Sequence, residues 1–359
     1  MRGNLINLDE SRRISRRTFE QWTRRLRPRR GDLLFAREAP VGPVVQIPAS
    51  ENIAPGQRTV LLRPDPDQVD TRYLYYLIGS PREQARLQAL AEGSTVSHLN
   101  VADVRSYLLP GLPTIDQQLA IAEVLGALDD KIGANTRLAA TVGDLSAVSF
   151  ARAVVGVGLS DETFGDVAEV GGGATPRSNV PEHWDGGVRW LTPTDVTALT
   201  GPYVWHTKRT ISAEGLAAIS SPLYPRGTIF MTSRATIGAF AIAEEPMAAN
   251  QGFIALQPRD GVSRYWLFHE MRSRVPEFLD HANGATFLEL SRGNFKKLRV
   301  RRLSIEAERR FEAEARVLHE RASAALRENS VLSATRDTLL PQLMSGKLRV
   351  REAAEMAGL

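Results

Sequence analysis

The run Val170-Gly171-Gly172-Gly173-Ala174 is the first place where residue type and spacing suggest chemistry, because glycine-rich loops cradle phosphate groups. Pro176, however, stands where the dinucleotide-binding pattern G-x-G-x-x-G needs its third glycine. The phosphate-binding pattern G-x-x-x-x-G-K-[ST] does not occur in the sequence. The run therefore predicts a turn rather than a nucleotide-binding loop.

The residue types that usually carry catalysis do not form a recognisable set. The six histidines are scattered without metal-ligand spacing, at positions 98, 183, 206, 269, 281 and 319. The Asp-Pro-Pro-Tyr or Asn-Pro-Pro-Phe loop of amino-methyltransferases is missing, and Pro64-Asp65 is not followed by the Glu-x-Lys of a nuclease site. We therefore expect no catalytic residue, metal site or cofactor on this chain. This favours a binding protein over a self-sufficient enzyme.

Composition indicates a protein of two or three domains with an uneven charge. The chain has 359 residues, of which 43% are hydrophobic. It has no cysteine, which fits a reducing cytoplasm, and no apolar run long enough for a membrane span or a signal peptide. Residues 1–30 hold ten arginines against three acidic residues. This basic segment predicts either a nucleic-acid contact or a solvated surface.

The second half of the chain repeats the first half at low identity. RGDLLFAREAPVG begins at Arg30 and RGTIFMTSRATIG at Arg226, so that Gly31 and Gly42 have the spacing of Gly227 and Gly238. Further matches follow in the same order, including Pro55-Gly56-Gln57 with Ala249-Asn250-Gln251, and Gly93-Ser94-Thr95 with Gly284-Ala285-Thr286. The repeating unit spans about half of the chain, which is too long for a solenoid repeat. It indicates the tandem duplication of a whole domain.

Each copy ends in a long helical pattern. Thr114 and Gln117 form a capping box that begins the first helix, and Ser304 is the expected N-cap of the second, which we expect to end near Leu340 before Pro341. Residues spaced three and four apart form an apolar stripe on each helix: Leu125, Leu128, Ile132, Asn135 and Val142, and then Phe311, Leu318, Asn329 and Leu332. This spacing is typical of a coiled-coil seam. An asparagine in each stripe either fixes the register or is exposed.

The remaining patterns predict an α+β fold. Short strands are expected at residues 32–35, 41–47 and 59–62, a helical region interrupted at Gly79-Ser80-Pro81 at 71–91, and a strand or turn at 101–109. We expect a first domain over 1–110, a long helix over 111–157, a second domain over 158–302, a second long helix over 303–350 and a tail over 351–359.

The second domain carries an ordered set of motifs that identifies a family. Among them are Phe164-Gly165-Asp166-Val167, Gly172-Gly173-Ala174-Thr175-Pro176 and Asn250-Gln251-Gly252-Phe253, with His183-Trp184 and Thr232–Gly238 between them. This order resembles the target recognition domain of type I restriction–modification specificity subunits. The start of the first long helix, from Leu112-Pro113 through residues 127–132, is similar to the start of the family's first conserved region, and residues 336–348 are similar to the end of its second.

The resemblance implies two target recognition domains, each followed by a conserved helix, with the two helices forming an antiparallel coiled coil. It implies that the chain reads a bipartite, non-palindromic DNA target and positions two modification subunits, which carry the adenine methyltransferase. Restriction subunits would add the motor and nuclease. S-adenosylmethionine, ATP and Mg²⁺ are then expected on the partner subunits and not on this chain.

We expect arginines and polar residues in turns to contact the DNA, because Arg reads guanine and Asn or Gln reads adenine. The candidates are Thr175, Arg177, Lys208, Arg209, Ser233 and Arg234 in the second domain, and Arg16, Arg17 and Arg37 in the first. For each of them the alternative is a solvated surface residue that makes no contact with a base. We take Arg37 and Arg234 to follow strands in matched positions, so that a scaffold ion pair is a further alternative for one of them. The basic run 292–302 either follows a phosphate backbone or is a solvated edge.

One feature departs from the family pattern. In the second copy the glycine-rich segment at Gly171 lies well upstream of Gly227, whereas the stretch from Met1 to Gly31 is too short to hold its counterpart. The first recognition domain is therefore expected to lack its first third. The alternative function is a truncated or silent specificity protein that acts only as an assembly partner.

Overall fold

The computed structural model describes residue 6 and residues 11–48, 52–91, 97–284 and 288–358. The chain forms two compact units. Unit 1 comprises Met1–Gly133 and Asn329–Leu359, and unit 2 comprises Ala134–Glu328. Each unit mixes helices and strands, which confirms the α+β prediction. Among the described helices, none is both long and apolar enough to cross a membrane.

The first part of unit 1 is a small sheet covered by helices. Its elements are α1 (Arg16–Trp22), β1 (Leu33–Arg37), β2 (Val41–Gln46), β3 (Thr59–Leu62), α2 (Thr71–Gly79), α3 (Pro81–Leu90), α4 (Val101–Ser106) and the long helix α5 (Ile115–Ala153). The strands form an antiparallel sheet in the order β2-β1-β3. The match between residues 93–95 and 284–286 lies largely outside the described residues.

The prediction of a strand or turn at 101–109 is wrong for its first six residues, which form α4. Asn100 and Asp103 form a capping box, in which the Asn100 N–H donates to Asp103 Oδ2 at 2.7 Å. Because each of these two side chains accepts a hydrogen bond from the backbone N–H of the other residue, the capping box favours a helical turn over an extended segment. By contrast, the predicted break at Gly79-Ser80-Pro81 is confirmed, because Ser80 ends α2 and caps α3.

Unit 2 has two sheets. Its elements in chain order are α6 (Phe164–Val167), β4 (Ala168–Gly172), β5 (Trp184–Leu191), α7 (Pro193–Thr197), β6 (Tyr203–Val204), β7 (Arg209–Ile211), α8 (Ala213–Ala217), β8 (Ile229–Thr232), β9 (Phe240–Ala243), β10 (Met247–Ala249), β11 (Phe253–Pro258), α9 (Arg264–Ser273), α10 (Val275–Asp280) and α11 (Arg292–Lys296). The larger sheet has the order β4-β11-β8-β9-β6, and the smaller has β10-β5-β7.

The helix α12 (Ile305–Met344) begins in unit 2 and ends in unit 1, where α13 (Val350–Ala357) follows. The expected end of the second long helix near Leu340 is wrong, since α12 continues through Pro341. Proline costs the helix one backbone hydrogen bond. Leu339 and Leu343 lie on either side of it and are buried in the core of unit 1, which holds the last turn in place. The predicted tail is also not free over residues 351–358, because Ala353 of α13 is fully buried in the same core.

The duplication is visible in the backbone. The pair Leu33↔Gln46 in β1–β2 recurs in the second copy as Ile229↔Ile242 in β8–β9. Positive φ angles recur at the same offset along the chain, at Gly31 and Gly227 (89° and 91°) and at Ala39 and Ala235 (50° and 57°). Shared left-handed positions are costly for alanine, so their recurrence indicates one inherited turn rather than chance similarity.

The two long helices pair in opposite directions within each unit. In unit 2, Asn135 Nδ2 donates to Glu328 Oε2 at 2.7 Å and Ser149 Oγ donates to Glu314 Oε2 at 2.8 Å. In unit 1, Asn329 Nδ2 donates to the Ile132 carbonyl oxygen at 3.2 Å. Both stripe asparagines therefore bond across the helix pair.

The apolar stripe is confirmed as a packed seam. Leu125, Leu128 and Phe311 are at most 3% exposed. The remaining apolar members are partly buried: Ile132, Val142, Leu318 and Leu332. Val142 packs against the core of unit 2, and Leu332 against that of unit 1.

A buried polar network links helices and sheet inside unit 2. His269 Nε2 lies 3.0 Å from His319 Nε2 and 2.8 Å from Ser146 Oγ, and His319 Nδ1 lies 2.8 Å from the Tyr203 hydroxyl. Burial lowers the pKa of each histidine to about 3. Both rings are thus neutral at physiological pH, and the network is a structural element of unit 2.

Candidate nucleic-acid interface

Three loops leave the same edge of the large sheet in unit 2. The pairs Ile254↔Gly172 and Phe253↔Thr232 place the end of β4, the start of β11 and the end of β8 side by side. We call the loops 173–177, 250–252 and 233–238 the loop edge. It carries four of the six residues that the sequence predicts for DNA contact in this half of the chain.

The glycine-rich loop is held by close backbone packing. A Cβ atom on Gly173 would lie 1.8 Å from the Asn250 carbonyl oxygen, so no other residue fits there. The Ala174 N–H donates to the Ala249 carbonyl at 2.9 Å, and the Thr175 hydroxyl donates to the Gln251 side-chain oxygen. The predicted turn is confirmed, and it places the exposed Thr175 beside Gln251.

Arg177 and Arg209 are connected through one tryptophan. The Trp184 ring N–H donates to the Arg177 carbonyl at 3.2 Å, and the Arg209 guanidinium lies 3.7 Å from the centroid of the Trp184 ring. The centroid of the Trp190 ring lies 5.6 Å from the same guanidinium, and the Trp190 ring N–H donates to the Ala174 carbonyl. The aromatic pair therefore orients Arg209 while both arginines stay exposed.

Lys208 is exposed, and its backbone is fixed by a helix cap. Its N–H donates to Asp195 Oδ1 at 3.0 Å. The other oxygen of Asp195 accepts from the N–H and hydroxyl of Thr192 at 2.9 and 2.6 Å. Asp195 thus positions the turn and leaves the lysine ammonium free to face a ligand.

Ser233 and Arg234 differ in accessibility. Ser233 is only 3% exposed, and its N–H and carbonyl bond to Gly252 and Leu290 at 2.8 and 3.0 Å. Arg234 Nε lies 2.8 Å from Glu289 Oε1, and both side chains are about half exposed. Ser233 therefore supports the loop edge from beneath, and Arg234 has a carboxylate partner that holds it. DNA contact by either remains a prediction.

The candidate residues of unit 1 have different surroundings. Arg37 donates from Nε to the Gln57 carbonyl at 3.1 Å and from Nη1 to the Leu99 carbonyl at 3.0 Å, so it ties three segments together. Arg16 and Arg17 lie on α1 and are exposed, and Arg16 pairs with Glu20 at 3.0 Å. Among the described residues, no hydrogen bond or ion pair joins Arg37 to Arg16 or Arg17.

The prediction that Arg37 and Arg234 occupy matched positions is wrong, as the strand register shows. The offset that relates Leu33 to Ile229 makes Arg37 correspond to Ser233, and Glu38 to Arg234. Glu38 and Arg234 each form an isolated bridge, with His98 and Glu289 respectively. Glu38 pairs with Arg58 at 3.4 Å, so the charge at this loop position is reversed between the units.

The basic run at 292–302 is partly engaged in the scaffold. Arg301 lies 2.8 Å from the fully buried Glu270, and Arg302 lies 3.0 Å from Glu162. Arg274 also contacts Glu270, at 3.1 Å. Arg301 thus connects α9 to the segment before α12, and Arg302 connects that segment to the residues before α6. The exposed cations of the run are Arg292, Lys296, Lys297 and Arg299, and Arg299 lies 3.9 Å from Asp161.

Sequence reasoning missed Gln251 as a site residue, although the signal was present. Gln57 and Gln251 match in the duplication, and an amide beside Thr175 could read an adenine. It also missed the orienting role of Trp184 and Trp190. No group of three or more His, Asp or Glu side chains suited to a metal ion occurs within the described ranges.

The family model and the relatives that match this chain are all type I specificity domains or subunits. The family model described as "Type I restriction modification DNA specificity domain" matches residues 18–142 and again 160–301. The MjaIX specificity subunit of Methanocaldococcus jannaschii is 36% identical over 137 residues, which cover 38% of this chain and 32% of that protein. The HindI specificity subunit of Haemophilus influenzae is 24% identical over 194 residues, covering 53% and 42%.

These two alignments thus span about a third and two fifths of the relatives they match. Among solved structures, the S subunit from M. genitalium shares the fold with a TM-score of 0.57 at 20% identity, covering 88% of this chain and 83% of that one. The two matches to the family model together span well over half of the sequence. This chain belongs to the type I restriction–modification DNA specificity family.

Proposed function

We propose that this chain is the DNA sequence-recognition subunit of a type I restriction–modification complex. The observation that carries the proposal is the loop edge of unit 2. There a glycine turn holds Thr175 beside Gln251, and two tryptophans hold Arg177 and the neighbouring Arg209; all four residues are exposed. Rigid support of this kind is what a site needs in order to distinguish bases.

Within this proposal the side chains divide into two classes. Arg177, Arg209 and Gln251 have the hydrogen-bonding groups that discriminate guanine or adenine in the major groove. Lys208, Arg292 and Lys296 are exposed cations suited to phosphate contacts, which fix orientation and carry no sequence information. The chain itself supplies recognition, and methyl transfer and cleavage belong to other subunits.

The target is proposed to be bipartite and non-palindromic, with one half-site for each unit. The duplicated hairpins and their shared positive φ positions support two related readers. The reversed charge at Glu38 and Arg234 supports different half-sites, because a carboxylate and a guanidinium prefer different base edges. Glu accepts a hydrogen bond from cytosine, whereas Arg donates two to guanine.

The partners are proposed to be two modification subunits and, in the full complex, restriction subunits. S-adenosylmethionine, ATP and Mg²⁺ are assigned to those partners. The paired long helices offer each unit a related helical surface, on which two copies of one partner would find similar contacts.

Co-expression with the cognate modification subunit followed by methylome sequencing tests the proposal. We expect adenine methylation at one bipartite motif, and loss of one half-site preference in Arg209→Ala. Arg259→Ala is the matched control: Arg259 is also half exposed, but it follows β11, about 20 Å along the strand from the loop edge.

Three results would count against it. Methylation that is independent of this chain would remove the recognition role. A motif with only the half-site of unit 2 would favour the assembly-partner alternative for unit 1. Methyl transfer by the chain alone would make it an enzyme.

A further inference from the structure

The corresponding strands β3 and β11 are buried to very different degrees. β3 pairs with β1, and β11 pairs with β8, the first strand of the corresponding hairpin. The pair Leu34↔Leu61 in unit 1 recurs as Phe230↔Ala255 in unit 2. Each of the first four residues of β11, Phe253 to Leu256, is at most 1% exposed. All four residues of β3 are only partly buried. Something that covers β11 in unit 2 therefore has no counterpart over β3 among the described residues.

In unit 2 that cover is the segment Ser160–Gly172. Its strand β4 pairs with β11 from Ala168↔Pro258 to Gly172↔Ile254. Ahead of the strand, the Phe164 N–H donates to the Leu298 carbonyl and the Val300 N–H donates to the Glu162 carbonyl, both at 2.9 Å. The segment thus bonds to two separate stretches of backbone.

Unit 1 has both stretches. Pro64 corresponds to Pro258, and the offset that relates Leu99 to Leu290 makes Tyr107–Leu109 correspond to Leu298–Val300. Leu99 and Leu290 are equivalent because their N–H groups donate to the Arg37 and Ser233 carbonyls, at 2.9 and 3.0 Å. Among the residues that the structure describes, β3 is an edge strand of its sheet, and Leu108 is 79% exposed. An unpaired edge with its N–H and C=O groups open is a template for another strand.

The same surface has a cavity where an aromatic ring packs in unit 2. Phe164 is fully buried there, and its ring stacks on Phe295 with centroids 4.5 Å apart. The residue that corresponds to Phe295 is Val104, which is smaller. A cavity of about 480 Å³ lies beside it, mainly apolar, with walls that include Leu61, Leu87 and Leu99. This volume accommodates a phenyl ring and neighbouring aliphatic side chains.

We propose that the β3 edge, Tyr107–Leu109 and this cavity form a binding groove for an extended polypeptide segment. The occupant has the chemistry of residues 160–172: a strand that pairs with β3, preceded by an aromatic residue that enters the cavity. Residues 160–172 of the chain are already buried in unit 2, so the occupant is another polypeptide segment with the same chemistry. This is strand addition, in which backbone bonds give affinity and a side-chain pocket gives specificity.

A labelled peptide with the sequence of residues 160–172 tests the groove directly. Fluorescence polarisation with the full-length chain should show saturable binding. A peptide with Phe164→Ala should bind at least about tenfold more weakly, because the anchor of the pocket is lost. Hydrogen exchange should slow at Val60–Leu62 of β3 and at 107–109 when the peptide is bound.

Two variants of the protein test whether the peptide binds in this groove. Val104→Trp fills the cavity and should reduce peptide binding at least about tenfold. Leu108→Arg is the matched control, because Arg299 stands at the corresponding position of unit 2 beside a bound segment. It should bind the peptide as the unmodified chain does. Thermal unfolding shows whether each variant is folded.

The proposal is overturned by the absence of saturable binding, by equal affinity of the Phe164→Ala peptide, or by protection confined to unit 2. It is also overturned if folded Val104→Trp binds normally. If that variant does not fold, the two peptides and the exchange pattern decide alone. No DNA or partner subunit is used, so failure here leaves the proposed recognition function untouched.

Discussion

Units 1 and 2 share a hairpin but differ in what surrounds it. In unit 2 the hairpin lies within a five-stranded sheet, whereas the described part of unit 1 has three strands around the same turn. The residues of the turn also differ, with Arg37 and Glu38 in one and Ser233 and Arg234 in the other. The backbone of the hairpin is thus the same in both units, while its supporting strands and its charge differ.

The largest contrast is expected in the core. Phe295→Ala should cost about 3–5 kcal/mol of unfolding free energy, because a fully buried ring is removed. Val104→Ala, at the corresponding position of unit 1, should cost about 1 kcal/mol, since Val104 lines an open cavity. Urea unfolding followed by far-UV circular dichroism measures both. Equal losses would show that the two positions are equally packed and break the comparison.

Acid should weaken unit 2 through its histidine pair. Burial lowers the folded-state pKa of His269 and His319 from 6.5 to about 3, so the unfolded state binds more protons between these values. Stability is complete above pH 6.5 and falls with decreasing pH by up to about 1.4 kcal/mol per pH unit for each histidine. Tryptophan fluorescence reports this loss, because Trp184, Trp190, Trp205 and Trp266 lie in unit 2.

The control for the acid effect is an exposed histidine. His206→Gln should leave the pH dependence of unfolding unchanged, whereas His319→Gln should flatten it. A similar slope in both variants would locate the acid sensitivity elsewhere in the chain.

Replacement of the tightly packed glycine should damage the loop edge. Gly173→Ala places a Cβ atom against the Asn250 carbonyl and should cost about 2–3 kcal/mol and reduce DNA affinity. Gly187→Ala is a matched control within β5, since its Cβ would meet no atom within 4 Å. Unfolding and DNA-binding titrations on both variants decide whether close packing at Gly173 maintains the site. Normal affinity of Gly173→Ala would remove this loop from the interface.

The smallest effect is expected from single surface arginines. Arg209→Ala should weaken DNA binding by about 1–2 kcal/mol, with little change in stability because Arg209 is exposed. Arg37→Ala should instead lower the stability of unit 1, because it removes bonds to Gln57 and Leu99. Filter binding and thermal unfolding on the two variants separate a contact residue from a structural one. The same pattern for both would contradict that distinction.

The sequence predicted local structure well where short-range chemistry determines it. The capping box at Thr114, the break at Ser80 and the apolar stripe through Leu125 and Leu128 are all confirmed. Prediction failed where tertiary packing outweighs local signals. Pro341 does not end α12, since buried leucines on both sides hold the turn, and Ala353 is buried by contacts that its neighbours in sequence do not reveal.

The candidate site was predictable in its residue types but not in its connections. Thr175 and Gln251 lie far apart in the chain, and only the register of β4 and β11 brings them together. The mistaken pairing of Arg37 with Arg234 has a similar cause. Residue identity suggested the match, whereas the register of the hairpin shows that the correspondence is one residue earlier.

The two units also differ in when they can be completed during translation. Unit 2 is one continuous stretch, Ala134–Glu328, whereas unit 1 needs Met1–Gly133 together with Asn329–Leu359. Leu339, Leu343 and Ala353, which close the core of unit 1, all follow Glu328 in the sequence. Translation therefore supplies every residue of unit 2 before it supplies these last members of the unit 1 core. The second unit in the sequence is the first whose residues are all synthesised.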